Sequence, residues 1–372
     1  MKLLTKTLLV FPIDMDSSRR FIKHAKSLGF NIVGASSVMD SSNNGVVDSF
    51  TKLPFITSPE FKNEFIQLID RQDVTHIYTP HSGVWSHINK LINMGIQGSK
   101  LCLCEPFPFE EDWLEVEPSF AWGEYASSDV FFNSIPNELR PSTGKRLTRS
   151  EYASIHSQYT NITGHCDEDK LAALICLLGN SPKGDVVEIG SLFGRSAFAL
   201  GWLASRFDIG SMISVDPWDT GKIQDQGEKA EILNSEINRI DFAKVFKSFL
   251  LKISVLDNTS YIRDVSVKAI DTYNHAALEG KLLSKEIKPI SITGKIAVLH
   301  IDGNHEYEQV LQDVKTWESN VIPGGWIMLD DYEWAFGDGP RLVGDEMLAS
   351  GKYDCTFVYS DTLFLRKPLV PT

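Results

Sequence analysis

No run of about eighteen or more apolar residues occurs in this chain of 372 residues, which excludes a membrane-spanning helix. The apolar start, MKLLTKTLLVFPIDMD, is interrupted by Pro12, Asp14 and Asp16 before a secretory core could form. No export signal is expected, and the protein is expected in the cytoplasm. Cysteine is scarce and scattered: Cys102, Cys104, Cys166, Cys176 and Cys355 form no C-x-x-C pair and match no histidine spacing. Reduced thiols are therefore expected rather than a disulfide framework or a four-ligand zinc site. Basic residues are outnumbered, with 36 Lys and Arg against 49 Asp and Glu and a net charge of −13, so nucleic acid and anionic membranes are poor partners. The phosphate loop G-x-x-x-x-G-K, the dinucleotide fingerprint G-x-G-x-x-G and any solenoid repeat are also missing.

What is present is an ordinary globular composition, 42% hydrophobic and 23% charged, arranged as short β-like runs alternating with helical periods. TLLVFPI, FNIVGASS and THIYTPH read as strands. The face Phe21, Ile22, Ala25, Leu28 and the run EFKNEFIQLIDR read as helices. These elements predict a small doubly wound α/β domain over residues 1–105. Residues 106–150, rich in Pro, Phe, Trp and Glu without periodicity, are expected to be a linker or irregular cap. From 151 to 372 a second α/β domain is expected, with strands GDVVEIG, SMISVDPWD, KIAVLHIDGNH and GGWIMLDDY. CTFVYS and LFLRK, joined at Asp361-Thr362, should add a terminal antiparallel hairpin.

Ligands of open α/β sheets bind beyond the carboxyl ends of the strands, where this sequence places its acids. VVEIGSLFGRS sets Glu188 before a turn containing Gly190, Ser191 and Gly194 and a helix start at Ser196. Glycines let backbone approach a ligand, and the helix N-terminus offers free N–H groups. An acid at Glu188 suits a cationic ligand, and Asp216 at the next strand end can accept two ribose hydroxyls. Further on, Asp302 and His305 follow one strand, and Asp330 and Asp331 leave another. Three carboxylates at one edge repel each other unless a cation joins them, and an oxygen-only set favours Mg²⁺.

The run from Glu188 to Gly194 with Asp216 resembles the first motifs of class I S-adenosylmethionine-dependent methyltransferases. The pattern D-G-x-H-x-Y, a D-V-x-x-W helix, P-G-G and D-D-Y, from Leu299 to Tyr332, resembles a family that includes macrolide-sugar and cephalosporin-pathway O-methyltransferases, such as the mycinamicin and macrocin enzymes. The resemblance covers about Thr160 to Lys367. It implies S-adenosylmethionine contacts at Glu188, Gly190, Ser191, Gly194, Ser196 and Asp216, and adenine contacts at Asp264 and Ser266. It also implies Mg²⁺ on Asp302, Asp330 and Asp331, with His305 as general base; some relatives have Glu where Asp330 stands.

The chemistry fits a hydroxyl acceptor, because a metal lowers its pKa and fixes its position while a histidine takes the proton. The expected partner is a small-molecule acceptor, a sugar or glycoside. Trp218 and Trp334, right after Asp216 and Asp331, are candidates to flank adenine or acceptor. The first hundred residues weakly resemble the Rossmann-like domain that precedes ATP-grasp domains, through FPIDMDSSRRFIKHAKSLG and THIYTPH. A role in substrate capture or in contact between copies of the chain, as a homo-oligomer, is expected for them. Two alternatives stay open: a metal-independent N- or carboxyl-methyltransferase, and a non-catalytic binding protein built on the cofactor fold.

Overall fold

In the computed structural model, residues 6–39, 45–96, 101–140, 146–222 and 226–369 are described. The chain divides into two units, Met1–Glu117 and Pro118–Thr372.

The first unit is a parallel sheet of β1 (Thr7–Val10), β2 (Asn31–Ser36), β3 (Ser49–Lys52), β4 (Val74–Tyr78) and β5 (Cys102–Leu103), in the order β3-β2-β1-β4-β5. Every residue of β1 is buried, as a central strand covered on both faces requires. Helix Asp16–Ser27 turns Ile22 and Ala25 inward, and helix Phe61–Gln72 buries Phe61, Phe65, Leu68 and Ile69. Leu28 lies past the end of its helix and is exposed. The edge strand β3, SFTK, has no fully buried position and so carries no apolar signature in the sequence.

The second unit is built on β6 (Asp185–Ile189), β7 (Met212–Val215), β8 (Thr259–Ile262), β11 (Ile296–Ile301), β12 (Val321–Leu329), β13 (Cys355–Tyr359) and β14 (Thr362–Arg366), with a side ribbon of β9 (Lys281–Leu282) and β10 (Ile290–Ser291). The main sheet runs β13-β14-β12-β11-β6-β7-β8. It is parallel from β12 to β8, and β14 pairs antiparallel with both β12 and β13, which is the expected terminal hairpin. Residues 118–139, expected as linker or cap, are instead helical and part of this unit's core. Trp122 packs edge-on against Phe131 and Tyr152, and Leu139 is fully buried. Pro118 inside helix Glu110–Ala126 and the short helix Asp129–Ser134, capped by Ser128, break the apolar spacing that would have shown these helices in sequence.

Because β12, β11, β6, β7 and β8 run parallel, their carboxyl ends share one edge. Gly190, Asp216, Asp264, Asp302 and Asp330 follow those ends. Among the described residues no helix is long and apolar enough to cross a membrane.

Candidate active site

The loop after β6 is shaped by two glycines. Gly190 has φ +83°, and a Cβ there would land on the Asp302 carbonyl, so only glycine lets the strand ends approach this closely. Gly194, at φ +87°, opens helix Arg195–Arg206, and a Cβ on it would stand 2.8 Å from the Phe249 ring. Asp216 ties the loop down: Oδ2 accepts from the Ser191 and Leu192 amides at 3.1 and 3.0 Å, and Oδ1 accepts from the Trp218 amide at 2.7 Å. Burial raises its pKa against the pull of those three N–H groups. Trp218 lies buried among Phe246, Phe249 and Tyr261 and donates its indole N–H to Leu192 O at 2.7 Å. It braces the loop and does not flank a ligand. Leu192, Trp218 and Asp331 all have left-handed backbone, at φ 43°, 41° and 51°, a conformation that side-chain-bearing residues adopt at a cost.

Beside this loop opens a cavity of about 730 Å³. Of the residues expected to hold a cofactor, Gly190, Ser191, Ser196, Asp216 and Ser266 line it. Glu188, Gly194 and Asp264 stand behind the wall. Glu188 is fully buried, accepting from Ser191 Oγ at 2.5 Å and facing His300 Nδ1 at 3.0 Å. Its charge is spent inside the protein, so the direct cofactor contact expected of it is replaced by support of the loop. Asp264 accepts from the Val265 amide and pairs with Lys222, both at 2.9 Å; it is Lys222 that reaches the cavity. These contacts outweigh desolvation and lower the Asp264 pKa.

Farther along the cavity, Asp302, His305 and Asp331 bring one ligand atom each within 4.8 Å of one another. Gln226 Oε1 accepts from the His305 backbone N–H at 3.1 Å and lies 2.6 Å from Nδ1. An oxygen there accepts the Nδ1 proton, and Nε2 shares a 2.6 Å hydrogen bond with Asp331 Oδ2. The Trp334 indole stacks on the His305 ring, centroids 4.1 Å apart, and Phe336 meets its edge at 5.4 Å.

Asp330 has different company. Oδ1 accepts from Thr362 Oγ1 at 2.6 Å and forms an ion pair with Lys170, and Oδ2 faces His300 Nε2 at 3.4 Å. Lys170 lies 3.4 Å from Asp361 as well. Burial disfavours each of these charges, but the opposite charges win: Lys170 and His300 hold Asp330 well below the usual carboxylate range, and Lys170 stays well above its own. His300, buried between Glu188 and Asp330, is lifted to about 10 by them in spite of desolvation. Asp302 goes the other way, pushed well above its normal range by burial and by the Asp330 charge.

Lys170, Gln226, His300 and Asp313 are the site residues that the sequence reading did not single out. Lys170 hides in the first turn of the apolar helix Glu168–Asn180, and Gln226 lies in a segment without periodicity. His300 carried a signal: it is a polar residue inside the otherwise apolar strand run IAVLHI. Asp313, on the buried face of helix Tyr307–Trp317, also lines the cavity, and burial raises it to about 6 against a hydrogen bond from Ser266.

Residues 187–332, most of this site, match a family model described as a methyltransferase domain. These residues form a methyltransferase domain. None of the curated proteins compared matches the chain. Among solved structures, the O-methyltransferase NovP is 15% identical, with 54% of this chain and 80% of that one covered and a TM-score of 0.38. A putative caffeoyl-CoA O-methyltransferase from Staphylococcus aureus is 10% identical over 68% and 99% of the two chains, TM-score 0.39. The MycE methyltransferase of the mycinamycin pathway, solved with Mg, S-adenosylhomocysteine and mycinamycin VI, is 14% identical over 50% and 45%, TM-score 0.29. The methyltransferase domain thus contains the loop after β6, the acid after β7 and the Asp302–His305 segment. The hairpin and Lys170 fall outside the matched residues.

Proposed function

We propose that this methyltransferase transfers the methyl group of S-adenosylmethionine to a hydroxyl of a sugar or glycosylated metabolite, with a divalent cation, Mg²⁺ in the first instance, assisting. The observation that carries this reading is the meeting of Asp302, His305 and Asp331 at one cavity that also holds the Gly190 loop and Asp216. Binding a nucleoside alone calls for no histidine of fixed tautomer beside two carboxylates. Transfer to oxygen calls for a group that removes a proton.

In this reading Gly190, Ser191, Ser196, Asp216 and Ser266 contact the cofactor, and Glu188, Gly194 and Asp264 hold the walls that do so. Asp216 already spends lone pairs on the loop amides but keeps others for ribose hydroxyls, since an ionised carboxylate has about four acceptor positions. Asp302 and Asp331 are the carboxylates that would hold the cation; when bound, it acidifies and orients the acceptor hydroxyl. With Gln226 accepting from Nδ1–H and Asp331 engaged by the cation, Nε2 of His305 would take the proton of the acceptor hydroxyl, and the nearby Asp331 charge would stabilise the imidazolium that results. Trp334 supports the ring and offers its edge to the acceptor. Most of the rate then comes from holding sulfonium, methyl and oxygen in line. The unit Met1–Glu117 is proposed to capture acceptor or to join copies of the chain.

The test is methyl transfer from labelled S-adenosylmethionine to a panel of sugar nucleotides, glycosides, amines and carboxylic acids, with Mg²⁺ or with EDTA. Transfer to a glycoside or sugar hydroxyl that falls with EDTA supports the reading. Transfer confined to an amine or carboxylate and indifferent to EDTA overturns it in favour of a metal-independent enzyme.

A further inference from the structure

Two groups of side chains in the cavity are close enough to hold a cation: Asp302, His305 and Asp331, and Cys166, Asp302 and Asp330. They share Asp302 but differ in what already stands beside them. The ammonium of Lys170 pairs with Asp330, sits 3.4 Å from Asp361 and interacts electrostatically with Cys166 and Asp302. It therefore occupies, by its charge and its partners, the second of the two cation positions. Its side chain is only 3% exposed, so this is a fixed internal charge and not a surface lysine that happens to lie nearby.

We propose that Lys170 is a built-in cation that withdraws Asp330 from metal binding, so that a divalent ion is confined to Asp302 and Asp331, beside the His305 base. The proposal rests on the methyltransferase reading above and deepens it, since the family resemblance taken alone would put Asp330 among the ligands. Three features of the chain support it. Both oxygens of Asp330 already stand beside protein partners: Oδ1 accepts from Thr362 and pairs with Lys170, and Oδ2 lies 3.4 Å from His300 Nε2. Asp331, the next residue, leaves the strand with a left-handed backbone and gives its carboxylate to His305 instead. The two neighbouring acids thus serve separate partners. Finally, Glu188, His300, Asp330 and Lys170 alternate in charge through the interior, each sign beside its opposite. A metal on Asp330 would break that alternation by setting a second cation against Lys170 and His300. Lys170 acts here through Asp330 and is a positioning residue.

The experiment is calorimetric titration of the full chain with Mn²⁺, with S-adenosylhomocysteine binding followed in parallel. Compared are the wild type, Lys170→Met, Asp302→Asn, Asp331→Asn and the charge-balanced pair Lys170→Met with Asp330→Asn. The pair keeps the net charge of the site and guards against a Lys170→Met chain that fails to fold. The wild type should bind Mn²⁺. The pair should bind it within about threefold of wild type, Lys170→Met about tenfold more tightly because Asp330 is released, and both Asn variants at 302 and 331 at least tenfold more weakly. Loss of Mn²⁺ by the charge-balanced pair to the extent seen in Asp302→Asn overturns the proposal. So does an unchanged affinity in folded Lys170→Met, or no Mn²⁺ binding by the wild type. Failure of the wild type to bind S-adenosylhomocysteine, by contrast, strikes at the methyltransferase reading itself.

Discussion

His300 Nδ1 lies 3.0 Å from Oε1 of Glu188, and both side chains are fully buried. The contact is a consequence of sheet register: β11 and β6 run parallel with His300 opposite Glu188. A one-residue slip would send these polar side chains to the other face. Glu188 in turn accepts from Ser191, so the ion pair inside the sheet reaches the loop proposed to contact the cofactor.

Replacing His300 with Ala should therefore cost about 3–5 kcal/mol, the usual result of leaving one partner of a buried pair uncompensated. Denaturant unfolding measures it. His300 is raised from 6.5 to about 10 in the folded protein, so its contribution is complete below about 6.5 and fades as pH climbs through 10. Wild-type stability should fall across that window more steeply than that of the His300→Gln variant. Equal slopes would mean that the ring is neutral at its place between Glu188 and Asp330.

Asp313 gives the opposite experiment. Its pKa rises from 3.8 to about 6 in the folded chain, so the folded state binds the extra proton and stability drops as pH rises through that interval. Asp313→Asn removes the penalty. It should stabilise the protein at pH 7 by on the order of 1–3 kcal/mol, and the gain should vanish below about pH 4. A variant no more stable than wild type at pH 7 would show that water or a counter-charge already compensates this carboxyl.

Trp334 should matter to turnover and not to the cofactor. Its indole holds the His305 ring at 4.1 Å, a stack worth about 0.5–1.5 kcal/mol, so Trp334→Ala should lower kcat by about threefold to tenfold. The affinity for S-adenosylhomocysteine, read by calorimetry, should stay within about twofold. Trp218→Ala should do the reverse and weaken the cofactor, because that ring fixes the loop through Leu192.

Much of this site was legible because its residues sit at strand exits. A buried apolar run followed by Gly or Asp marks the carboxyl end of a parallel strand, and Gly190, Asp216, Asp302 and Asp331 were placed that way. What escaped was whatever depends on contacts distant in sequence. Lys170 meets Asp330 across 160 positions, Gln226 meets His305 across 79, and His300 meets Glu188 across 112. No local period encodes such pairs. The same reason explains why Glu188 looked like a ligand-facing acid: its exposure is decided by His300 on another strand. In residues 118–139 the core-forming aromatics were visible, but Pro118 and short helices hid the spacing that separates core from loop.

The measurement to make first is calorimetric titration with S-adenosylhomocysteine of the wild-type chain and of Asp216→Ala, the two checked for equal helix content. Asp216 both ties down the Ser191–Leu192 amides and faces the cavity. Micromolar binding by the wild type, weakened at least about tenfold in the variant, is the expected result. Absence of binding by the folded wild-type protein would contradict the cofactor site and, with it, the reaction assigned to Asp302, His305 and Asp331.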